Sequence, residues 1–388
     1  MAKNAIQAQD KSFLIADEPS VFQGKDIDKI LLHTTPFGTS DVTIQTNEPI
    51  LAEIYGKLKQ ITRHRLNYNE VIDMLTYITK SDGAYSHIVQ SHAWDVSHEV
   101  KPDRETRMRF RVNATGIITE NQTGVQITMR TIPSIAPALA DMKLPDEILR
   151  NRTPKQGIVL VTGATGSGKS TLLASIIRDL LENKDSNHKI LTYESPVEFV
   201  YDDVSKPSSS IAQTPIPDLL PNFTEALRNA LRRKPTIIMV GEMRDRETIS
   251  EGITASLTGH LVYSTVHTNG FAETIRRMVT AFPADEQHSR GVDIVSSLKL
   301  CISQMLLPST DGKRVAIREY LVMNDFIASE MMENIDNIAA VSRKMLKQFG
   351  HTFLQDAQEK YDQGLIELKQ LQYIKALSQG MDRDTMSK

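Results

Sequence analysis

The stretch Ile158-Val-Leu-Val-Thr-Gly-Ala-Thr-Gly-Ser-Gly-Lys-Ser-Thr171 decides the fold of this chain. It opens with an apolar, β-branched run that is typical of a buried strand. The residues that follow match the spacing G-x-x-x-x-G-K-[ST]. Apolar residues then recur at helical spacing from Leu172 to Leu180, which predicts a helix directly after the loop. The stretch therefore predicts a strand, a glycine-rich loop and a helix in succession.

A loop of this pattern wraps phosphate groups with backbone N–H groups at the N-terminus of a helix. The lysine, Lys169, can reach the β- and γ-phosphates, and the hydroxyl of Ser170 can bind Mg²⁺. An accidental glycine-rich turn is the alternative, and the flanking strand and helix disfavour it. We therefore predict ATP and Mg²⁺ as the cofactors. The expected nucleotide-binding residues are Gly163, Ala164, Thr165, Gly166, Ser167, Gly168, Lys169, Ser170 and Thr171.

Four apolar runs alternate with helical stretches in this part of the chain, at residues 158–162, 189–193, 236–240 and 261–266. Near-continuous β-branched runs between helices indicate a parallel sheet covered on both faces. Ligands of such sheets bind beyond the carboxyl ends of the strands. The polar residues that directly follow each run are therefore the candidates for a site.

Three of these runs are followed by acids or an imidazole. Glu242 follows the third run, where a carboxylate can bind the metal together with Ser170; a charge at a helix N-terminus is the alternative. Glu194 and Glu198 follow the second run and compete for the role of orienting the attacking water, and spacing alone does not choose between them. His267 follows the fourth run and can donate a hydrogen bond to the γ-phosphate, although a structural role is equally compatible with its position.

The rest of the chain divides by composition. Short alternating runs and one amphipathic helix predict a small α+β domain with a mostly antiparallel sheet. Four prolines predict a linker. The expected divisions are a flexible tail at 1–20, the α+β domain at 21–132, the linker at 133–154, the parallel-sheet domain at 155–325, ending in an edge strand at 314–323, and a C-terminal helical region at 326–388.

Composition excludes several function classes. The 388 residues carry 45 basic and 48 acidic side chains, so a protein that coats nucleic acid is disfavoured, and we expect no direct nucleic-acid binding. No apolar run is long enough to cross a bilayer, so any membrane contact is expected to be peripheral. The single cysteine, Cys301, indicates a cytoplasmic protein, and we place it as a packed thiol in a helix.

Three segments resemble the signatures of a known family. Residues 190–199 (ILTYESPVEF) resemble an acidic box, residues 237–245 (IIMVGEMRD) resemble an atypical Walker B motif, and residues 258–268 (TGHLVYSTVHT) resemble a histidine box. Together with the phosphate loop, they are similar to the PilT-like ATPases of type II and type IV secretion. The nearest subgroups are the DotB-like ATPases of type IVB secretion and the TraJ-like ATPases of conjugative plasmids.

This resemblance implies an α/β chain with a PAS-like N-terminal α+β domain, a RecA-like motor and C-terminal helices. It makes Glu198 the water-activating acid, Glu242 the Walker B acid and His267 the histidine-box sensor. It also implies that Arg111 and Arg130, from the segments RFRVN and MRTIP, reach the nucleotide phosphates. Arginines on the solvent face of a strand are the alternative interpretation.

The family further implies a cytoplasmic homohexamer that acts at the cytoplasmic face of the inner membrane with components of a secretion or conjugation complex. We expect an ATP-hydrolysing motor of a type IVB-like secretion or conjugative system. The alternatives are a pilus retraction motor and an assembly platform that binds ATP with little turnover. The platform is favoured by two departures from the family pattern, Ser195 in the acidic box and Thr236 before the Walker B strand.

Overall fold

The computed structural model describes residues 13–103, 106–120, 122–132 and 135–386, without the side chains of 379–386. It divides the chain into two compact units, Met1–Ile135 and Ala136–Lys388. Residues 1–12 of the expected tail and 133–134 of the expected linker lie outside the described residues.

The first unit is a six-stranded antiparallel sheet of order β3-β2-β1-β6-β5-β4 with helices on one face. The predicted amphipathic helix is confirmed as α2, where Asn67 and Glu70 form a capping box. The predicted α+β architecture is therefore correct. The strands are β1 (Thr39–Gln45), β2 (Leu51–Ile54), β3 (Lys57–Gln60), β4 (Trp94–Val100), β5 (Met108–Thr119) and β6 (Gln122–Ile132), and the helices are α1 (Asp26–Thr34), α2 (Tyr68–Thr79) and α3 (Ala84–Val89).

Part of the expected tail, residues 13–20, packs on this unit. The Ile15 N–H donates to the carbonyl oxygen of Ile61 at 2.9 Å. The Glu18 carboxylate accepts from the backbone N–H of His64 at 2.6 Å. These bonds anchor a segment whose composition is polar, and we expected it to be mobile. For residues 13–20, that expectation is wrong.

The second unit contains a seven-stranded sheet of order β13-β12-β7-β11-β10-β8-β9. All neighbouring pairs are parallel except β12 and β13, so β13 is an antiparallel edge strand. The predicted parallel sheet and its edge strand are confirmed. The strands are β7 (Gly157–Thr162), β8 (Lys189–Glu194), β9 (Ser210–Pro215), β10 (Ile237–Val240), β11 (Leu261–Val266), β12 (Leu298–Pro308) and β13 (Arg314–Val322).

Helices cover both faces of this sheet. Ile158 and Leu160 of β7 belong to the core under α6–α11, whereas Val159 and Val161 belong to the core under α4 and α5. Alternate residues of a strand point to opposite faces, so burial on both faces explains the continuous apolar runs. The helices are α4 (Asp146–Asn151), α5 (Lys169–Glu182), α6 (Phe223–Leu231), α7 (Arg246–Leu257), α8 (Phe271–Thr280), α9 (Gln287–Ser297), α10 (Asp325–Glu333), α11 (Ile338–Phe349), α12 (Phe353–Asp362) and α13 (Leu368–Met386).

The C-terminal region is helical, as predicted, and it is packed against the sheet. Helices α10 and α11 pack in the same core as α6–α9. Helices α12 and α13 bury Leu307 of β12 and Ile317 of β13. Within the described residues, no helix combines the length and the apolar character that spanning a membrane requires.

The segment 136–154, which we expected to be linker, also packs on the second unit. Ala136, Leu139 and Ile148 are buried in the same core as α5. Prolines fix the backbone here without preventing the apolar residues between them from packing. The structure therefore corrects the expected linker over this range.

Cys301 lies in a strand, β12, so its placement in a helix is wrong. A continuous apolar run does not distinguish a buried strand from a buried helix by periodicity. The thiol is fully buried, and burial raises its pKa well above the usual range, as expected for a packed core thiol.

A half-buried acid on β13 makes the stability of the fold depend on pH. The Glu319 carboxylate accepts from the Phe271 N–H at 2.8 Å, at the start of α8, and burial raises its pKa to about 7. A carboxyl group with a raised pKa stabilises the fold in its protonated form. That contribution is complete below the unfolded pKa and is lost as the pH rises through about 7.

We predict that Glu319→Gln removes this dependence, because an amide does not titrate. Between pH 5 and pH 8, the free energy of unfolding of the wild type should fall relative to the variant by about 2 kcal/mol. Urea denaturation at both pH values measures this difference. The matched control is Glu247→Gln, at an exposed position. Equal pH dependence of the wild type and Glu319→Gln would show that the Glu319 carboxyl is already ionised at pH 5.

Candidate active site

The glycine-rich loop lies between the end of β7 at Thr162 and the start of α5 at Lys169. Gly163 has φ = +147°, and a Cβ atom there would lie 2.3 Å from the carbonyl oxygen of Gln304. Gly166 also has a positive φ, +77°, but nothing lies within 4 Å of its Cβ position. Backbone conformation and close packing against β12 therefore both require glycine at the first position of the loop.

Lys169 is buried, and its ammonium group is hydrogen-bonded to carbonyl oxygens of the loop itself. The Nζ atom donates to the carbonyl oxygens of Gly163 at 2.8 Å and Ala164 at 2.9 Å. Burial lowers the pKa of Lys169, whereas the nearby charges of Glu242 and Glu198 raise it. The loop thus holds a cation between its own backbone and two carboxylates.

His267 follows β11 and lies between Lys169 and Glu242. Its Nδ1 atom is 3.4 Å from Lys169 Nζ, and its Nε2 atom is 3.8 Å from Glu242 Oε1. Burial, then the charge of Lys169, lower the pKa of this imidazole, and Glu242 raises it in part. The imidazole is therefore neutral at physiological pH, with Nδ1 accepting from the ammonium and Nε2 able to donate.

Glu242 is positioned by the backbone on either side of it. Gly241 N–H donates to the Tyr193 carbonyl oxygen at 2.8 Å, and Met243 N–H donates to the Thr265 carbonyl oxygen at 3.0 Å. These bonds continue the hydrogen-bond pattern of the sheet beyond the end of β10, to β8 on one side and to β11 on the other. The carboxylate therefore stands at the carboxyl edge of the sheet, as the sequence predicted.

The structure separates the two acids of the acidic box. Glu194 is buried, and its Oε1 atom accepts from Thr192 Oγ1 at 2.7 Å and from Gln213 Nε2 at 3.2 Å. Burial raises its pKa. Glu198 is half-buried, and its charge acts on Lys169. Of the two acids, Glu198 is the one whose charge raises the pKa of the lysine of the loop.

The sequence reasoning missed Gln304, whose side chain lies under the loop. Its Nε2 atom donates to the Ser167 carbonyl oxygen at 2.7 Å. The preceding residue, Ser303, shares a hydrogen bond with Thr162 at 2.8 Å between the two hydroxyl oxygens. The rule that polar residues follow buried strands would have selected both residues, had the run at 298–302 been read as a strand.

The two predicted arginines lie in the first unit, on the face of its sheet opposite the helices. Arg111 of β5 and Arg130 of β6 are direct cross-strand partners. Each is paired with an acid: Arg111 with Asp95 at 2.7 Å, and Arg130 with Asp41 at 2.8 Å. The structure therefore places the two side by side on an open surface, in ion pairs that water screens.

A family model described as type II/IV secretion system protein matches residues 19–313. The chain belongs to this family. Relatives cover most of its length. A twitching motility protein of Neisseria gonorrhoeae is 37% identical over 342 residues, 87% of each chain. The type IV pilus retraction ATPase PilT of Pseudomonas aeruginosa is 37% identical over 309 residues, 80% of this chain and 86% of the relative.

Solved structures of this family agree with the fold. The Legionella pneumophila ATPase DotB is 47% identical, with a TM-score of 0.88 over 94% of this chain and 98% of that chain. The pilus retraction motor PilT with bound ADP is 32% identical, with a TM-score of 0.76 over 89% and 95%. The predicted superfamily, and with it the prediction of an ATPase, are confirmed.

The packing of the loop predicts unequal costs for two glycine substitutions. Gly163→Ala should lower the free energy of unfolding by at least about 3 kcal/mol, because a strained φ and a backbone clash act together. Gly166→Ala is the matched control, and its positive φ alone should cost about 1 kcal/mol. Urea denaturation measures both values. Equal losses of unfolding free energy in the two variants would mean that the backbone of β12 does not restrict the side chain at position 163.

Proposed function

We propose that this type IV secretion or pilus motor ATPase is a homohexamer that hydrolyses ATP with Mg²⁺. The observation that supports this most directly is the cluster at the carboxyl edge of the sheet. Lys169 lies in the loop that the motif assigns to phosphate, with His267 beside it and the carboxylate of Glu242 beyond. Such a cluster offers a cation, a donor and an acid to one polyphosphate.

The donor set suits Mg²⁺. The hydroxyl of Ser170, in the first turn of α5, and the carboxylate of Glu242 would hold the ion. Both are hard oxygen ligands, which Mg²⁺ prefers. When bound, the ion would supply charge neutralisation to the phosphates. Glu198 and Glu242 also give the site more negative charge than Lys169 alone offsets, which favours a cation.

We assign a role in the reaction to each remaining residue. Lys169 would leave the two loop carbonyls and donate to the β- and γ-phosphates. Glu198 would orient the attacking water, because Glu198 is only half-buried whereas Glu194 is buried. His267, neutral in the free protein, would donate from Nε2 to the γ-phosphate. Arg111 and Arg130 would exchange their carboxylate partners for phosphate oxygens, which the bidentate guanidinium binds well.

The comparisons leave two kinds of system open. DotB is similar at 47% identity, which supports a type IVB-like secretion or conjugative role. The similarity to pilus retraction ATPases also fits, so a retraction motor is the second candidate. In either case we propose a cytoplasmic hexamer that associates peripherally with inner-membrane components at the cytoplasmic face. We propose no direct contact with nucleic acid.

We predict that Lys169→Ala weakens ADP binding at least about tenfold and lowers ATP turnover more than about 100-fold, because a buried charged donor is lost. Glu198→Gln should bind ADP as the wild type does and lose turnover about 100-fold, since only water activation is removed. Fluorescent-ADP titration and phosphate release measure the two effects. Lys155→Ala, at an exposed position, is the control.

Two results would contradict these roles. Turnover that survives Lys169→Ala would remove the phosphate loop from the reaction. If the wild type binds ATP but releases no phosphate at saturating ATP, the motor hypothesis is wrong. The alternative favoured by Ser195 and Thr236, an assembly platform that binds ATP with little turnover, then holds.

A second prediction concerns assembly. We expect a species of about 260 kDa, six chains of 43.5 kDa, when ATP and Mg²⁺ are present. Mass photometry with and without nucleotide measures it. A monomer under both conditions, together with full turnover, would contradict the ring.

A further inference from the structure

Gln304 of β12 forms the floor of the phosphate loop. The residue is 5% exposed, and its side-chain Nε2 atom donates to the Ser167 carbonyl oxygen at 2.7 Å. A Cβ atom on Gly168 would lie 2.9 Å from the same Nε2 atom, and one on Gly163 would lie 2.3 Å from the Gln304 carbonyl oxygen. One residue thus touches the loop near both of its ends.

Arg318 of β13 holds this glutamine in place from the other side. The two residues are direct register partners across the antiparallel pair. Arg318 is 4% exposed, and its Nε atom donates to Gln304 Oε1 at 2.9 Å. Because the guanidinium is only a donor, the amide oxygen must face it and the amide nitrogen must face Ser167.

Other contacts fix the arginine itself. Its Nη2 atom donates to the Met142 carbonyl oxygen at 3.0 Å, and its backbone N–H donates to Asp356 Oδ2 at 2.7 Å. Three separate segments of the second unit therefore set the position of Arg318. The guanidinium is held by Gln304 and by Met142, and the bond to Asp356 anchors the backbone of the same residue, so Arg318 is a fixed support for Gln304.

The bond to Ser167 determines where the next amide points. In a trans peptide, the C=O of one residue and the N–H of the next point in opposite directions. When Gln304 holds the Ser167 carbonyl towards the protein interior, the Gly168 N–H is directed away from the interior. Phosphate loops bind anions with N–H groups of this kind.

We propose that Gln304 and Arg318 are positioning residues that preset the peptide between Ser167 and Gly168 for phosphate binding. This inference rests on the proposed function, because it presumes that the loop binds a nucleotide. The buried arginine polarises the amide, so the bond from Nε2 to Ser167 is stronger than that of an isolated glutamine. The loop is thereby ordered before the nucleotide arrives, which lowers the cost of binding.

The test is Gln304→Glu, which keeps the shape of the side chain, removes the donor and opposes the Ser167 carbonyl with an acceptor. The dissociation constant for ADP should rise about tenfold, which corresponds to a lost hydrogen bond. The melting temperature should not fall, because the carboxylate gains a charge-assisted bond from Arg318. The KM for ATP should rise with kcat changed less than about threefold, since phosphate is held in both the ground and the transition state.

Gln304→Met gives a second route to the answer if the glutamate variant does not fold. It should raise the dissociation constant for ADP in the same direction. Combining it with Arg318→Met should raise the constant no further, because the arginine acts through the glutamine. Ser209→Ala removes a buried hydroxyl that donates to Leu180 in the same unit, and this control should leave ADP binding unchanged.

The outcomes distinguish a failure of the proposed function from a failure of the positioning role. If the wild type and Lys169→Ala both fail to bind ADP, the proposed function fails. If the wild type binds and Gln304→Glu binds equally well, or loses kcat with KM unchanged, the positioning role of Gln304 is wrong. If the double variant shows additive losses, the role of Arg318 is wrong.

Discussion

The contact between the phosphate loop and β12 is the constraint on which the rest of the site depends. Gly163 allows the strand to lie against the loop, and Gln304 bonds to the loop from below. This contact fixes where α5 begins. It therefore also fixes Lys169, whose ammonium group reaches both the loop carbonyls and the imidazole of His267.

The electrostatics of the site favour the binding of a polyanion. Burial lowers the pKa of Lys169 and that of His267, so a positive charge on either group is less favourable here than in water. A bound phosphate would favour the charged lysine and replace its bonds to backbone carbonyls. The carboxylates of Glu198 and Glu242 remain at the edge of the sheet, where a metal ion can offset them.

Local patterns predicted the parts of this site that lie close together in sequence. The phosphate motif, the buried strands and the polar residues after them are all readable because each depends on a short segment. Gln304 was not predicted, because its partner, Ser167, lies 137 positions away and the apolar run that precedes it predicts a helix as readily as a strand. Spacing also could not separate Glu194 from Glu198, since the two acids differ in burial and the burial of Glu194 depends on Gln213 of β9. The packed segment 136–154 was hidden by prolines that suggested a linker.

The most direct test of the account is a crystal structure of the chain with a non-hydrolysable ATP analogue and Mg²⁺. We expect Lys169 Nζ to leave the carbonyls of Gly163 and Ala164 for a phosphate oxygen, while the bond from Gln304 to Ser167 stays in place. We also expect Ser170 and Glu242 beside the metal. An analogue bound elsewhere, or a lysine that still contacts both carbonyls with the analogue in the loop, would contradict the account.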